Sequence, residues 1–273
     1  MKEIFVRSLS GLLYVALLLA SLFNEIALTS LLFVFGLVSI AEFKKLISLK
    51  SQLPYLIFTI LYAQFGYWQL TIETNTFLAY GTQILLVISL FVLLFLIRDL
   101  FTEKEIPLIG SKPYLLTTFY VATGFLFLLL IPYYNYTFTP KILFGTFIII
   151  WVNDTFAYLV GKNFGKQKLF ERISPKKTIE GFLGGLFFAC LASYFITTFT
   201  KTLNFSNWLI LSVIISVFGT LGDLVESKFK RQANVKDSGV IMPGHGGLLD
   251  RLDSLIFAAP FIYLFLSILD YVS

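Results

Sequence analysis

Residues 206–231 read SNWLILSVIISVFGTLGDLVESKFKR. The first part, 206–223, is apolar and of a length that crosses roughly 30 Å of hydrocarbon as a helix. The remainder turns abruptly to acid, hydroxyl and cations. On a helix, Asp223, Ser227, Lys230 and Arg231 return to one face, so a carboxylate, a hydroxyl and two cations form a strip. An apolar helix that ends this way belongs to a membrane protein whose chemistry sits at one bilayer surface. Lys228 is read as a snorkelling anchor. Asp223 has no such explanation, because an acid at the membrane boundary is costly without a partner.

Further apolar stretches lie near 5–24, 26–43, 53–72, 78–98, 114–133, 141–160, 179–200 and 254–271. With 206–223 they predict an all-α integral membrane protein of about nine transmembrane helices. The third is weakest, diluted by Pro54, Gln64, Gly66 and Gln69. Composition agrees: the chain is 57% hydrophobic and only 14% charged, against about 25% charged in ordinary soluble domains. Lys2 and Arg7 ahead of an apolar run make residues 1–24 look like a signal peptide, but every later segment is equally apolar, which favours an uncleaved first helix. The lone Cys190 excludes an intramolecular disulfide framework and carries no zinc pattern.

Charge placement orients the bundle. Taking loops on alternate sides, the N-terminus and the loops after the second, fourth, sixth and eighth segments hold 19 of the 21 Lys and Arg residues. Only Lys141 and Lys201 fall on the other side. Basic loops stay cytoplasmic, so the N-terminus is expected in the cytoplasm and the C-terminus opposite. The longest polar stretches, 161–178 and 227–253, are both cytoplasmic on this count. Residues 1–135 therefore read as scaffold helices and 136–273 as the catalytic region of one integrated membrane domain.

The second polar loop continues the chemistry. Lys236 and Asp237 follow the basic helix end, and Pro243-Gly-His-Gly-Gly247 leads into the last helix with His245, the only histidine. Glycines such as Gly246 and Gly247 before a helix start let backbone N–H groups approach an anion closely. Asp250 and Asp253 share the first turn of that helix. Capping explains one acid there; two acids opposite a Lys/Arg cluster favour a metal-phosphate site. In the first loop Asp154 lies deep in the sixth segment, and an ionisable residue at that depth is a functional candidate. Ser174-Pro-Lys176-Lys177 predicts a rigid turn carrying two cations. Lys162, Lys166 and Lys168 are read as anchors.

The run from Ser227 to Asp253, with Lys230-Arg231, Lys236-Asp237, Gly239, PGHGG and Asp250-Arg251, resembles the signature of the phosphatidate cytidylyltransferases. DTFAYLVGKNFGK (154–166) and SPKKTIEG (174–181) are similar to the same family. The resemblance implies transfer of CMP from CTP to phosphatidic acid, giving CDP-diacylglycerol and pyrophosphate. On that reading Asp223, Lys230, Arg231, Lys236, Asp237, His245 and Asp250 serve catalysis, and Asp154, Ser174, Lys176, Lys177, Ser227, Gly246, Gly247 and Asp253 bind substrate. A phosphate monoester is already largely dianionic at neutral pH, so no strong general base is required. The task is charge neutralisation. Magnesium on Asp223 and Asp250 suits carboxylate and phosphate ligands, and the resemblance suggests a monovalent cation such as potassium nearby. Expected partners are CTP, phosphatidic acid and the lipid bilayer, with no nucleic acid; the resemblance implies a homodimer in a bacterial plasma membrane, its active site facing the cytoplasm. A CTP-dependent polyprenol or dolichol kinase would use similar charges. A secondary transporter would place its polar residues near the midplane in repeat-related helices, whereas here they crowd one face and no repeat is visible.

Overall fold

The computed structural model describes residues 2–67 and 76–272, and these are mostly helical. Hydrocarbon offers backbone N–H and C=O groups no water, so each apolar segment closes its hydrogen bonds within itself. In chain order the helices are α1 (Lys2–Ser21), α2 (Glu25–Leu46), α3 (Leu53–Leu61), α4 (Thr76–Leu100), α5 (Lys112–Leu116), α6 (Thr123–Leu130), α7 (Pro140–Phe164), α8 (Ile179–Thr200), α9 (Phe205–Gln232) and α10 (Leu249–Val272). A π-helical stretch, Thr117–Ala122, fuses α5 and α6 into one rod.

Seven of these helical stretches are long and apolar enough to cross a membrane, from Glu25–Leu46 to Leu249–Tyr271. The first and third predicted segments form shorter apolar helices, Phe5–Ser21 and Leu53–Gly66. The third is short for a visible reason. Pro54 stands in the first turn of α3, and Gln64 and Gly66 fall in a π-helical turn, Tyr62–Tyr67. Residues 68–72 of that predicted segment lie outside the described residues.

The α5–α6 rod is the hub, with Tyr120, Phe125 and Phe127 fully buried. Phe43 of α2 meets Tyr120 edge-on at 5.5 Å and Phe229 of α9 at 5.1 Å, and Phe257 of α10 lies 5.9 Å from Tyr120. Four elements are thereby keyed together through aromatic contacts of defined geometry. A second close packing joins α7 to α8. A Cβ on Gly181 would stand 2.7 Å from the Ala157 carbonyl oxygen, and one on Gly185 2.7 Å from that of Asn153. Small residues let these backbones touch, which sets Asp154 beside the loop that precedes α8.

That loop corrects one expectation. Ser174–Thr178 is not a turn but strand β2, paired antiparallel with β1 (Lys168–Phe170), with Lys168 opposite Thr178 and Phe170 opposite Ser174. Ile173, buried at the bend, anchors the hairpin, and the Ile179 amide donates to the Gln167 carbonyl.

Lys228 is a second correction. It is buried, and its ammonium donates to the Asp99 carbonyl and, at 3.3 Å, to the Thr102 carbonyl. The last carbonyls of a helix lack intrahelical partners and favour a cation, so Lys228 ties the end of α4 to α9. Lys228→Ala is expected to cost about 1–3 kcal/mol, read as a lowered thermal midpoint in detergent. An anchor at the headgroups would leave the midpoint unchanged.

Candidate active site

The α7–α8 pair, the hairpin, the polar end of α9, the 233–248 loop and the start of α10 enclose a cavity of about 1020 Å³. α1 closes one side with Gly11, Tyr14 and Val15. Ligand pockets commonly hold about 300–1,000 Å³, so there is room for a nucleotide beside a lipid headgroup. Both polar loops picked out in the sequence open onto this one space.

Its charges are arranged in pairs. Asp223 points into the cavity, bound to the Lys177 ammonium at 2.6 Å and accepting from Ser227 Oγ at 3.2 Å. Asp154 is exposed to the same space, with the Asn153 side-chain amide at 3.3 Å. Asp223 lies within electrostatic reach of both Asp154 and the buried Asp253. Deeper in, Lys230 bridges Glu226 and Asp250, the latter at 2.7 Å, with all three side chains nearly or fully buried. Asp250 also accepts from the amides of Ser238 at 2.9 Å and Gly247 at 2.7 Å. Asp253 takes the Ser254 amide at 2.7 Å. Lys162, Lys168 and Lys176 line the rim. An anion entering here meets several ammonium groups, of which Lys177 and Lys230 are held by carboxylates.

His245 is held from α1. Ser10 Oγ stands 2.9 Å from its Nδ1, and also 2.9 Å and 3.0 Å from the carbonyl oxygens of Pro243 and Arg7. When the hydroxyl proton goes to one of these carbonyls, Oγ accepts from Nδ1–H, and that tautomer leaves the Nε2 lone pair free. Burial, with the Arg251 and Arg7 guanidiniums beside it, holds His245 below the usual imidazole range and hence neutral at pH 7. The Arg251 guanidinium donates to the His245 carbonyl at 2.7 Å, and Tyr14 OH to the Arg251 carbonyl at 3.2 Å.

A model of the cytidylyltransferase family matches residues 5–269. The chain belongs to the cytidylyltransferase family. Among its relatives, the phosphatidate cytidylyltransferase of Staphylococcus aureus (strain COL) is 47% identical over 154 residues, 56% of this chain and 57% of the relative. That of Bacillus subtilis (strain 168) is 49% identical over 127 residues, 46% and 47% of the two chains. That of Staphylococcus haemolyticus is 50% identical over 122 residues, 44% and 46%. The chain thus spans about half the length of the curated relatives it matches.

In this cytidylyltransferase-family chain the cavity gathers Asp154, Lys176, Lys177, Asp223, Lys230, Asp237, His245, Asp250 and Asp253. Others named from the sequence stand elsewhere. Arg231 is exposed outside the cavity lining, donating to the carbonyls of Ile173 and Val235 at 3.3 Å each. The single-face strip therefore splits: Lys230 turns inward to its carboxylates while Arg231 clasps the hairpin. Lys236 is exposed outside the lining, Ser174 opens β2, and Ser227 reaches the site only through Asp223. Lys162 and Lys168, read as anchors, line the cavity instead.

The amides at and after Gly247 are already engaged. The Gly247 amide serves Asp250, and the amides of Leu248 and Leu249 serve the Glu42 carboxylate at 3.1 Å and 2.8 Å. The anions admitted by these glycines are the protein's own acids. A Cβ at Gly247 would stand 2.2 Å from Ser238 Oγ and 2.7 Å from Glu42 Oε2, which explains the glycine sterically. Glu42 and Glu226 were missed. Glu42 is an acid inside the apolar segment 26–43, which alone marked it as a candidate, whereas Glu226 sits in the polar end of α9 among Asp223, Ser227 and Lys230. Ser10 and Tyr14 carried no comparable signal, and with Gly11 and Val15 they place part of the site on the scaffold side of residue 135.

Asp223 and Asp250, the pair expected to hold magnesium, each face an ammonium group, that of Lys177 at 2.6 Å and that of Lys230 at 2.7 Å, marking where positive charge is favoured. Among the described residues no group of three or more His, Cys, Asp or Glu side chains is arranged as a cation cage. Magnesium does not need one, since it binds through one or two carboxylates and substrate phosphates.

Proposed function

We propose that the chain transfers CMP from CTP to phosphatidic acid, giving CDP-diacylglycerol and pyrophosphate. The observation that carries this reading is the convergence of the two family-matching loops, 154–181 and 227–253, on one cavity lined by paired acids and cations. The relatives' name, phosphatidate cytidylyltransferase, supports the same substrate pair. A phosphate oxygen of the lipid attacks the α-phosphorus of CTP, the bond from that phosphorus to the bridging oxygen breaks, and pyrophosphate leaves with the electron pair. The obstacle is repulsion between two anions, so catalysis rests on positioning and charge neutralisation.

Lys176, Lys177 and Lys162 are placed to receive phosphate oxygens at the cavity rim. Lys177 exchanges its bond to Asp223 for one to substrate, and its ammonium then neutralises charge that develops on the departing pyrophosphate. His245, neutral and with Nε2 free, accepts a hydrogen bond from a substrate hydroxyl or from a monoprotonated phosphate. Lys230 keeps Asp250 oriented. Asp223 and Asp250 would hold magnesium, which when bound neutralises nucleotide phosphates. The site faces the cytoplasm, where CTP is available, and the supporting observation is the 19 to 2 division of basic residues. A single cysteine placed at position 166 in a Cys190→Ser background is expected to react with a reagent confined to the cytoplasmic side; protection from it would reverse the orientation.

The alternative of a CTP-dependent lipid kinase is separated by substrate. Purified protein should release pyrophosphate from CTP with phosphatidic acid and not with a polyprenol. Turnover with the polyprenol alone would overturn the proposal.

A further inference from the structure

Glu42 lies near the end of α2, outside the cavity lining, and is 1% exposed. A buried carboxylate is costly unless its oxygens are satisfied. Among the described residues its partners are amides and a hydroxyl, not an ammonium or guanidinium. Oε1 accepts from the Leu248 amide at 3.1 Å, and Oε2 from the Leu249 amide at 2.8 Å and from Ser238 Oγ at 3.4 Å. The backbone closes on it from both ends of the loop. A Cβ on Gly239 would stand 2.2 Å from Oε1, and one on Gly247 2.7 Å from Oε2.

Leu248 and Leu249 stand at the N-terminus of α10, where amides lack intrahelical partners and the helix favours negative charge. The residue after Leu249 is Asp250, which itself accepts from Ser238 and Gly247. The same two ends of the loop are therefore gripped twice, by Asp250 from within and by Glu42 from another helix. We propose that Glu42 is a positioning residue: from α2 it sets where α10 begins and so the direction in which Asp250 meets the cavity, without touching substrate. This rests on the cytidylyltransferase reading for the importance of Asp250.

Glu42→Gln keeps the shape and removes the charge. It is expected to lower kcat by about tenfold or more, per folded molecule, with the KM for CTP within about threefold, because the cavity lining is intact. Amide hydrogen exchange should rise in the peptide covering 247–250 while the α5–α6 rod keeps its protection. A folded Glu42→Gln with wild-type kcat would overturn the proposal, as would exchange rising equally along the whole chain. If Glu42→Gln gives no folded protein, Gly239→Ala supplies the test, since it keeps the carboxylate and intrudes on it. It should show the same local rise in exchange and the same fall in kcat, and wild-type values for both would overturn the proposal. If the wild-type protein itself transfers nothing from CTP, the functional reading fails, while the exchange pattern still decides whether Glu42 holds the start of α10.

Discussion

Asp223→Asn is expected to lower turnover by roughly 100-fold or more while leaving the detergent-solubilised protein folded, the scale seen when one charge-stabilising group is removed from an active site. The two halves of that expectation have separate causes. Asp223 is 36% exposed in its side chain and faces the cavity, so neutralising it leaves no packed surface disturbed. Asparagine keeps an oxygen for Ser227 Oγ, now at 3.2 Å. What goes is the negative charge that holds Lys177 at 2.6 Å and that would share magnesium with Asp250. Near wild-type turnover at limiting magnesium would remove Asp223 from the metal site and the mechanism together. Asp250→Asn should also abolish turnover with the fold retained, because the amides of Ser238 and Gly247 still find an acceptor and Lys230 keeps the Glu226 carboxylate as its counter-charge.

Lys230→Met is expected to act on the fold first. Lys230 is 11% exposed and sits between Glu226 at 0% and Asp250 at 5%. Removing the cation leaves two carboxylates buried side by side, and breaking a buried pair in this way costs about 3–5 kcal/mol. The expected result is a much lowered thermal midpoint or failure to purify, with activity lost as well. Adding Glu226→Gln should restore part of the stability, because one uncompensated charge is gone, and the double-mutant cycle measures the coupling. Lys177→Met makes the contrast. Its side chain is 26% exposed at the cavity, so turnover should fall with little change in midpoint. If Lys230→Met were stable and Lys177→Met were not, the division between an inner structural cation and an outer working one would be wrong.

The membrane fold and the loops that line the cavity were legible because their signals are local. Long apolar runs specify spanning helices, and the density of rare residues between Ser227 and Asp253 marks the site without any structure. Burial was not legible. Helical spacing treated Lys230 and Arg231 as equivalent cations, yet one residue of rotation puts Lys230 against Glu226 and Asp250 and leaves Arg231 outside the cavity. Lys228 looked like a headgroup anchor because its partners, the Asp99 carbonyl at the end of α4 and the Thr102 carbonyl just beyond it, lie more than a hundred residues earlier. Glu42, Ser10 and Tyr14 meet their loop only across some two hundred residues of sequence. The SPKK segment resembled a turn because proline and adjacent lysines disfavour a strand; a two-stranded edge with both faces partly in water tolerates them.

The most direct test follows the phosphorus atoms of CTP. Purified protein in mixed micelles with phosphatidic acid and magnesium would be given CTP radiolabelled at the α-phosphate in one reaction and at the γ-phosphate in another. Cytidylyl transfer carries the α-label into the lipid phase and leaves the γ-label in soluble pyrophosphate, and Asp223→Asn should suppress both signals. A γ-label recovered in lipid would identify a kinase and contradict the proposed function.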